Sequence, residues 1–294
     1  ELLINPETGF GMFVSFNTPE GAQARTAVVD AVLDYFYPGD GGAAPAWPDG
    51  PLAGSAERIA KVVGAYRLNR RSFTSLEGSV GLAGDLTVTP GPDGEIVVPG
   101  EGMGGRFIEV APYQFRLQGR QESLVFQTDD NGVVQRALVG SLPIMVADKL
   151  AFWETAANHQ LVIGLALVSG LFLLINAARN RGQHSLAGLV RIGRLSQIVA
   201  AVCLFVFLLG LIVVFADADM NRLIFDFPPP GTGVVLFFPV LVALATLVSL
   251  IALVPVRRSD ACNRWQALRY SWASLIFALL VLVFAYWNLL GWRY

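Results

Sequence analysis

Few side chains in this sequence pair a reactive group with neighbours that would let it act. The two histidines, His159 and His184, have no cysteine, aspartate or glutamate at the spacing by which a zinc site gathers its ligands, so no metal is expected. Cys203 falls inside an apolar run and Cys262 in a short basic loop, which leaves no framework of disulfides. Asp129 and Asp130 place two carboxylates in tandem, but the loop lacks the later ligands and the bidentate Glu that a calcium loop supplies. Asp130-Asn131-Gly132 reads instead as a hairpin tip, because Asn and Gly tolerate the positive backbone angles of a tight turn. Arg70 and Arg71 could bind an anionic substrate or a lipid headgroup, although an adjacent arginine pair is more often a solvated turn. From these residues no catalytic, cofactor-binding or metal-binding set emerges.

The elements that would position such groups belong to two regimes. Of the 294 residues, 54% are hydrophobic and 15% charged, against about a quarter charged in soluble domains. Most acidic residues lie before Glu154, and long uncharged runs dominate afterwards. The formal net charge of -2 gives no basic face, so nucleic acid is not an expected partner. Glu1 begins in mid-pattern without a basic stretch and a short apolar segment after it, so no signal peptide is visible and an upstream part of the protein is expected.

The segment Gly9 to Asn17 has apolar residues on both pleat faces, as in a largely buried strand. Thr18 as N-cap and Pro19 at the first helical position predict a helix carrying Val28, Val29, Val32, Leu33 and Phe36 on its apolar face. One strand and one helix cannot bury each other's faces, which calls for a missing body of protein. Nine of the seventeen residues from Pro38 to Gly54 are Gly or Pro, the composition of a linker. Short apolar stretches at 61–67, 86–89, 95–98, 106–110, 114–117, 124–127 and 133–138 then predict a small antiparallel sheet or barrel, with a short helix possible over 72–82.

Four runs without a charged residue follow, at 161–178, 195–216, 233–256 and 271–291. Roughly 20 helical residues match a hydrocarbon core of about 30 Å, and an ion at its centre costs about 2.5–3.5 kcal/mol, so four transmembrane helices are expected. Arg179, Arg181, Arg191 and Arg194 separate the first two runs, and Arg257, Arg258, Arg264 and Arg269 the last two. By the positive-inside rule those loops are cytoplasmic, which puts the N-terminal region and the C-terminus on the periplasmic or extracellular side of the inner membrane. The connection bearing Asp217, Asp219, Arg222, Asp226 and Pro228 to Pro230 then lies outside too, and Trp287, Trp292 and Tyr294 can sit at headgroup level. Ala166 and Gly170 form a small-xxx-small pair suited to close helix approach, and Pro239 predicts a static kink. Asn176 and Asn288 lie near the ends of runs and can reach the interface or a neighbouring helix. With no ionisable group at mid-membrane, a transporter is disfavoured.

Several stretches resemble serine hydrolases of the beta-lactamase and penicillin-binding-protein superfamily that carry a membrane-spanning C-terminal extension. NPETGFGMFVSFN at Asn5 to Asn17, with the helix after it, looks like the last strand and closing helix of the catalytic domain. LNRRSFTSLE at Leu68 to Glu77, RFIEVAPYQFR at Arg106 to Arg116, LVFQTDDNG at Leu124 to Gly132 and WNLLGWRY at Trp287 to Tyr294 look like the extension. The resemblance implies a parent enzyme that hydrolyses an amide or ester through an acyl-serine, with a lysine one helical turn after the serine, a Tyr-x-Asn element and a Lys- or His-x-Gly strand. Neither Lys61 nor Lys149 follows a serine at that spacing, and no Lys or His begins an x-Gly motif. Tyr286-Trp287-Asn288 spells Tyr-x-Asn but inside the last apolar run, so no catalytic residue carries over.

The expected fold is thus an α+β membrane protein. Residues 1–37 would end a truncated beta-lactamase-like domain, 38–54 would link, 55–152 would form a small exported β-rich domain and 153–294 a four-helix transmembrane region. Its expected partners are the lipid bilayer and a missing N-terminal catalytic domain. A non-enzymatic membrane protein whose exported β region binds a partner or cell-envelope ligand is the alternative.

Overall fold

The computed structural model describes residues 1–18, 21–38, 48, 50–99, 104–118, 122–140, 142–179, 188–216, 227–259 and 262–293, and these fall into two compact units divided between Asp49 and Gly50. In the first, strands β1 (Leu2–Asn5) and β2 (Phe10–Phe13) form an antiparallel hairpin, and helix α1 follows over Gly21–Phe36. The run Gly9 to Asn17 was expected as one buried strand. It pairs only as far as Val14, with the segment from Glu1 through β1 as the partner that sequence reading missed, and Phe13 is 72% exposed. Phe10 does pack, its ring lying 5.7 Å from Phe36 and 5.4 Å from Tyr37. Pro19 and most of the Gly/Pro-rich linker lie outside the described residues.

The second unit opens with α2 (Ser55–Val62) and continues into eight strands: β3 (Gly64–Leu68), β4 (Leu86–Pro90), β5 (Glu95–Val98), β6 (Gly105–Ala111), β7 (Gln114–Leu117), β8 (Ser123–Thr128), β9 (Val134–Val139) and β10 (Leu142–Lys149). Each pairs antiparallel with the next, and β10 returns to β3 with Ala147 opposite Leu68, so the sheet closes into an up-and-down barrel. Closure removes the open edges that would otherwise recruit other strands. The hairpin at Asp130 to Gly132 forms as expected between β8 and β9, with the Asp129 carboxylate accepting from the Asn131 and Val133 amides at 2.9 Å. Strand β10 was not foreseen, and the stretch 61–67 divides between the end of α2 and β3 rather than forming one strand.

Alternation fills the barrel. Tyr66, Ile96, Phe107, Phe115 and Phe126 point inward and are buried, Phe115 and Phe126 meeting edge to face at 5.5 Å. Helix α2 plugs the end where β3 begins, inserting Ile59 and Val62 into the same core. There the Arg58 guanidinium grips the buried Glu109 carboxylate at 2.6 and 2.9 Å, and the Tyr113 amide donates a third bond at 3.0 Å. Burial alone would push Glu109 up, but these donors outweigh it and hold the carboxyl below its usual range.

Among the described residues, four helical stretches are long and apolar enough to cross a membrane. They are α3 (Ala156–Arg179), α4 (Gly188–Phe215), a broken third stretch over Thr232–Arg258, and α8 (Arg264–Tyr286). The third is made of α5 (Thr232–Val235), α6 (Phe237–Ile251) and α7 (Leu253–Arg258). Its interruptions, at Leu236 and Ala252, lie three residues before Pro239 and Pro255, whose missing N–H leaves the preceding turn's carbonyl without its helical donor. Pro239 therefore stands in the first turn of α6, and the break precedes it rather than kinking the middle of a span.

Outward faces such as Leu161, Val168, Ile212 and Leu282 are exposed and apolar, while Phe207, Phe277 and Leu280 fill the bundle core. Ala166 and Gly170 do face a neighbour: a Cβ on Gly170 would lie 3.4 Å from Ala201 of α4. Gly193 permits a closer approach, since a Cβ there would sit 2.4 Å from the Tyr270 hydroxyl. Around that crossing Gln197 donates to the Tyr270 carbonyl and the Ser274 hydroxyl at 2.9 Å, and Tyr270 donates to the Ser249 carbonyl at 2.7 Å. Bonds of this kind tie apolar helices together.

Candidate functional site

The barrel is seated on one end of the helix bundle through Arg67. Because Tyr66 points into the barrel, Arg67 points out, yet its side chain is only 5% exposed since the helix ends cover it. Its guanidinium donates to Asp85 at 2.8 and 2.5 Å, to the Tyr286 hydroxyl at 3.0 Å and to the Glu154 carbonyl at 2.9 Å, and it lies 4.6 Å from the Trp287 ring. The second Asp85 oxygen accepts from the Ala156 amide at 2.6 Å, at the first residue of α3. Trp287 is itself buried and donates its indole N–H to His159 Nδ1 at 2.9 Å. One arginine thus ties the barrel to the beginning of α3 and the end of α8.

The β3–β4 connection completes the seat with a 3₁₀ segment, Leu76–Ala83. The Leu76 amide donates to the Arg293 carbonyl at 2.6 Å, the Asn288 amide group to the Phe73 and Ser75 carbonyls at 3.0 and 3.1 Å, and Gln160 to the Leu82 carbonyl at 2.8 Å. Gly81 lets this segment lie flat on the helix ends, because a Cβ there would fall 2.9 Å from the Trp287 ring. Asn288 adopts a φ of 56°, and with Gly291 at 86° it turns the chain back under the barrel instead of continuing the helix.

The β3–β4 connection marks the barrel end opposite the α2 plug, and there the interior is hollow. A cavity of about 430 Å³ lies there, within the size range of small-molecule sites. Its walls are Leu86, Val98, Leu124, Val139, Met145 and Ala147, with the 3₁₀ segment along one side. Arg70, Arg71, Glu77 and Glu122 stand among its polar lining. Arg71 lies 4.3 Å over the Phe73 ring, and among the described residues neither Arg70 nor Arg71 forms an ion pair. Phe73 and Val80, beside them, are exposed.

Of the residues singled out from sequence, Arg70 and Arg71 reach this site, and His159 reaches the seat. Tyr286 is the last residue of α8, Trp287 and Asn288 lie just past it, and all three build the contact between barrel and helices. Trp287 is buried in that contact. Lys61 and Lys149 lie together at the plugged end, where the Lys149 ammonium donates to the Lys61 carbonyl and burial lowers it from the ordinary lysine value. Cys203 is buried within α4, and Cys262 accepts a 3.5 Å bond from Arg194. His184, Arg181, Asp217, Asp219, Arg222, Asp226 and Tyr294 lie outside the described residues. Sequence reading missed Arg67 and Asp85. An arginine inside an otherwise apolar strand and an aspartate directly before the next one were the available signals. No protein-family model, no curated protein and no solved structure matches this chain.

Proposed function

We propose that this chain anchors an exported beta-lactamase-related serine hydrolase to the inner membrane, with the barrel as the spacer between enzyme and bilayer. The observation that carries this reading is the first unit. Its hairpin and helix leave Leu2, Ile4, Phe13, Tyr35 and Phe36 in the open, and a two-stranded hairpin with one helix is marginal in water. The last strand and closing helix of a larger domain would carry such faces, because the rest of that domain covers them. Arg179, Arg191, Arg194, Arg257, Arg258, Arg264 and Arg269 all stand at the helix ends away from the barrel, which supports a cytoplasmic place for those ends and an exported barrel. A covalent acyl-serine probe should label the product of a reading frame extended upstream of Glu1 and leave residues 1–294 unlabelled. Labelling of this chain alone, or an unreactive extended product that carries Ser-x-x-Lys, would overturn the proposal. The cavity favours a second reading, in which the exported β region itself binds a cell-envelope ligand.

A further inference from the structure

We propose that the barrel cavity takes one acyl chain of a bilayer phospholipid, with the phosphate held by Arg70 and Arg71. Three independent observations converge on this occupant. The hollow is walled by apolar side chains from β4, β5, β8, β9 and β10, so it offers an acyl chain contacts that water cannot use. Its rim holds two arginines that form no ion pair among the described residues, and a guanidinium matches the geometry of a phosphate. Arg67, by contrast, is already neutralised by Asp85 and takes no part. Glu77 and Glu122 also line the rim; Glu122 accepts from the Ser123 amide at 2.9 Å and Glu77 from the Ser75 hydroxyl. A rim of both signs accommodates a zwitterionic headgroup as readily as an anionic one.

The third observation is position. The cavity opens at the barrel end whose β3–β4 connection rests on Gln160, Asn288 and Arg293, at the ends of the apolar helices. Beside the arginines the rim exposes Phe73 and Val80, and the neighbouring turn before α3 exposes Phe152 and Trp153. Aromatic and aliphatic groups in that place belong at the depth of the headgroups. A lipid of the adjoining leaflet can then raise one chain into the barrel without passing through bulk water. The inference rests on the ligand-binding reading of the barrel, not on the hydrolase reading, and each can fail alone.

The test uses the whole chain in vesicles of phosphatidylethanolamine and phosphatidylglycerol, with a phosphatidylglycerol bearing a photoreactive group at the end of one acyl chain. Cross-links are expected at Leu124, Val139 or Met145 as well as on the outer helix faces. Arg70→Glu with Arg71→Glu should lower barrel labelling roughly tenfold while helix labelling stays the same. Ala137→Phe, at a further wall residue of the cavity on β9, should fill the hollow and do likewise, and if it fails to fold the arginine pair decides the matter. Labelling confined to the helices, or barrel labelling unchanged in the charge-reversed protein, would overturn the proposal. So would a barrel labelled only by a photoreactive free fatty acid. A co-purified ligand that is not a lipid, found by native mass spectrometry, would sink the lipid while sparing the wider ligand-binding reading.

Discussion

At the scale of single residues, Arg67 carries more of the molecule than any group that sequence reading brought forward. It is a buried cation with a buried anion opposite, and removing one member of such a pair strands the other at about 3–5 kcal/mol. Arg67→Met should therefore lower the thermal midpoint of the detergent-solubilised protein sharply, and protease should then cut between the barrel and α3. Arg67→Met combined with Asp85→Leu should recover most of that loss, because no stranded charge remains. A double variant as weak as the single one would contradict this role. Arg70 and Arg71 were legible as a cation pair because they are adjacent. Arg67 was not, since its importance comes from Tyr286 and Glu154, far away along the chain.

At the scale of elements, the strands with clear apolar runs and a turn after them were legible, as at 124–127 and 133–138. What failed was long-range. Closing the barrel depends on β10, whose pairing with β3 brings together the two ends of the β region and leaves no local trace. Helix α2 was hidden because its apolar Ile59 and Val62 run directly into the strand that follows. Its plug makes a testable pH signature. The folded pKa of Glu109 lies below its unfolded value of about 4.3, so the stabilisation is fully present above that value and is lost as the pH falls through the folded pKa. Unfolding of the barrel followed by proteolysis in urea should thus be flat from pH 7 to about 5 and weaken in stronger acid. With Arg58→Met the sign reverses: burial raises Glu109, the variant is worst at pH 7 by about 3–5 kcal/mol, and the deficit shrinks as the carboxylate protonates. A deficit independent of pH would show that Glu109 does not depend on Arg58.

At the scale of the whole molecule, four long apolar helices were the most legible feature, because length and the absence of ions are local properties of the chain. Their ends were less so. The last span stops at Tyr286, and the rest of the run leaves the helix to build the barrel's seat. Residues 50–294 consequently form one compact unit, in which the barrel and its pocket are held directly on the apolar helices. That arrangement requires the barrel and the arginine-bearing helix ends to lie on opposite sides of the bilayer. Cys262, beside Arg264 and partly exposed, is a native reporter for the second location, and Asp130→Cys at the exposed hairpin tip supplies one for the first. An impermeant maleimide applied to intact spheroplasts should modify the Asp130→Cys protein at the hairpin and reach Cys262 only after the membrane is permeabilised. Modification of Cys262 in intact spheroplasts, with the hairpin cysteine protected, would contradict the account.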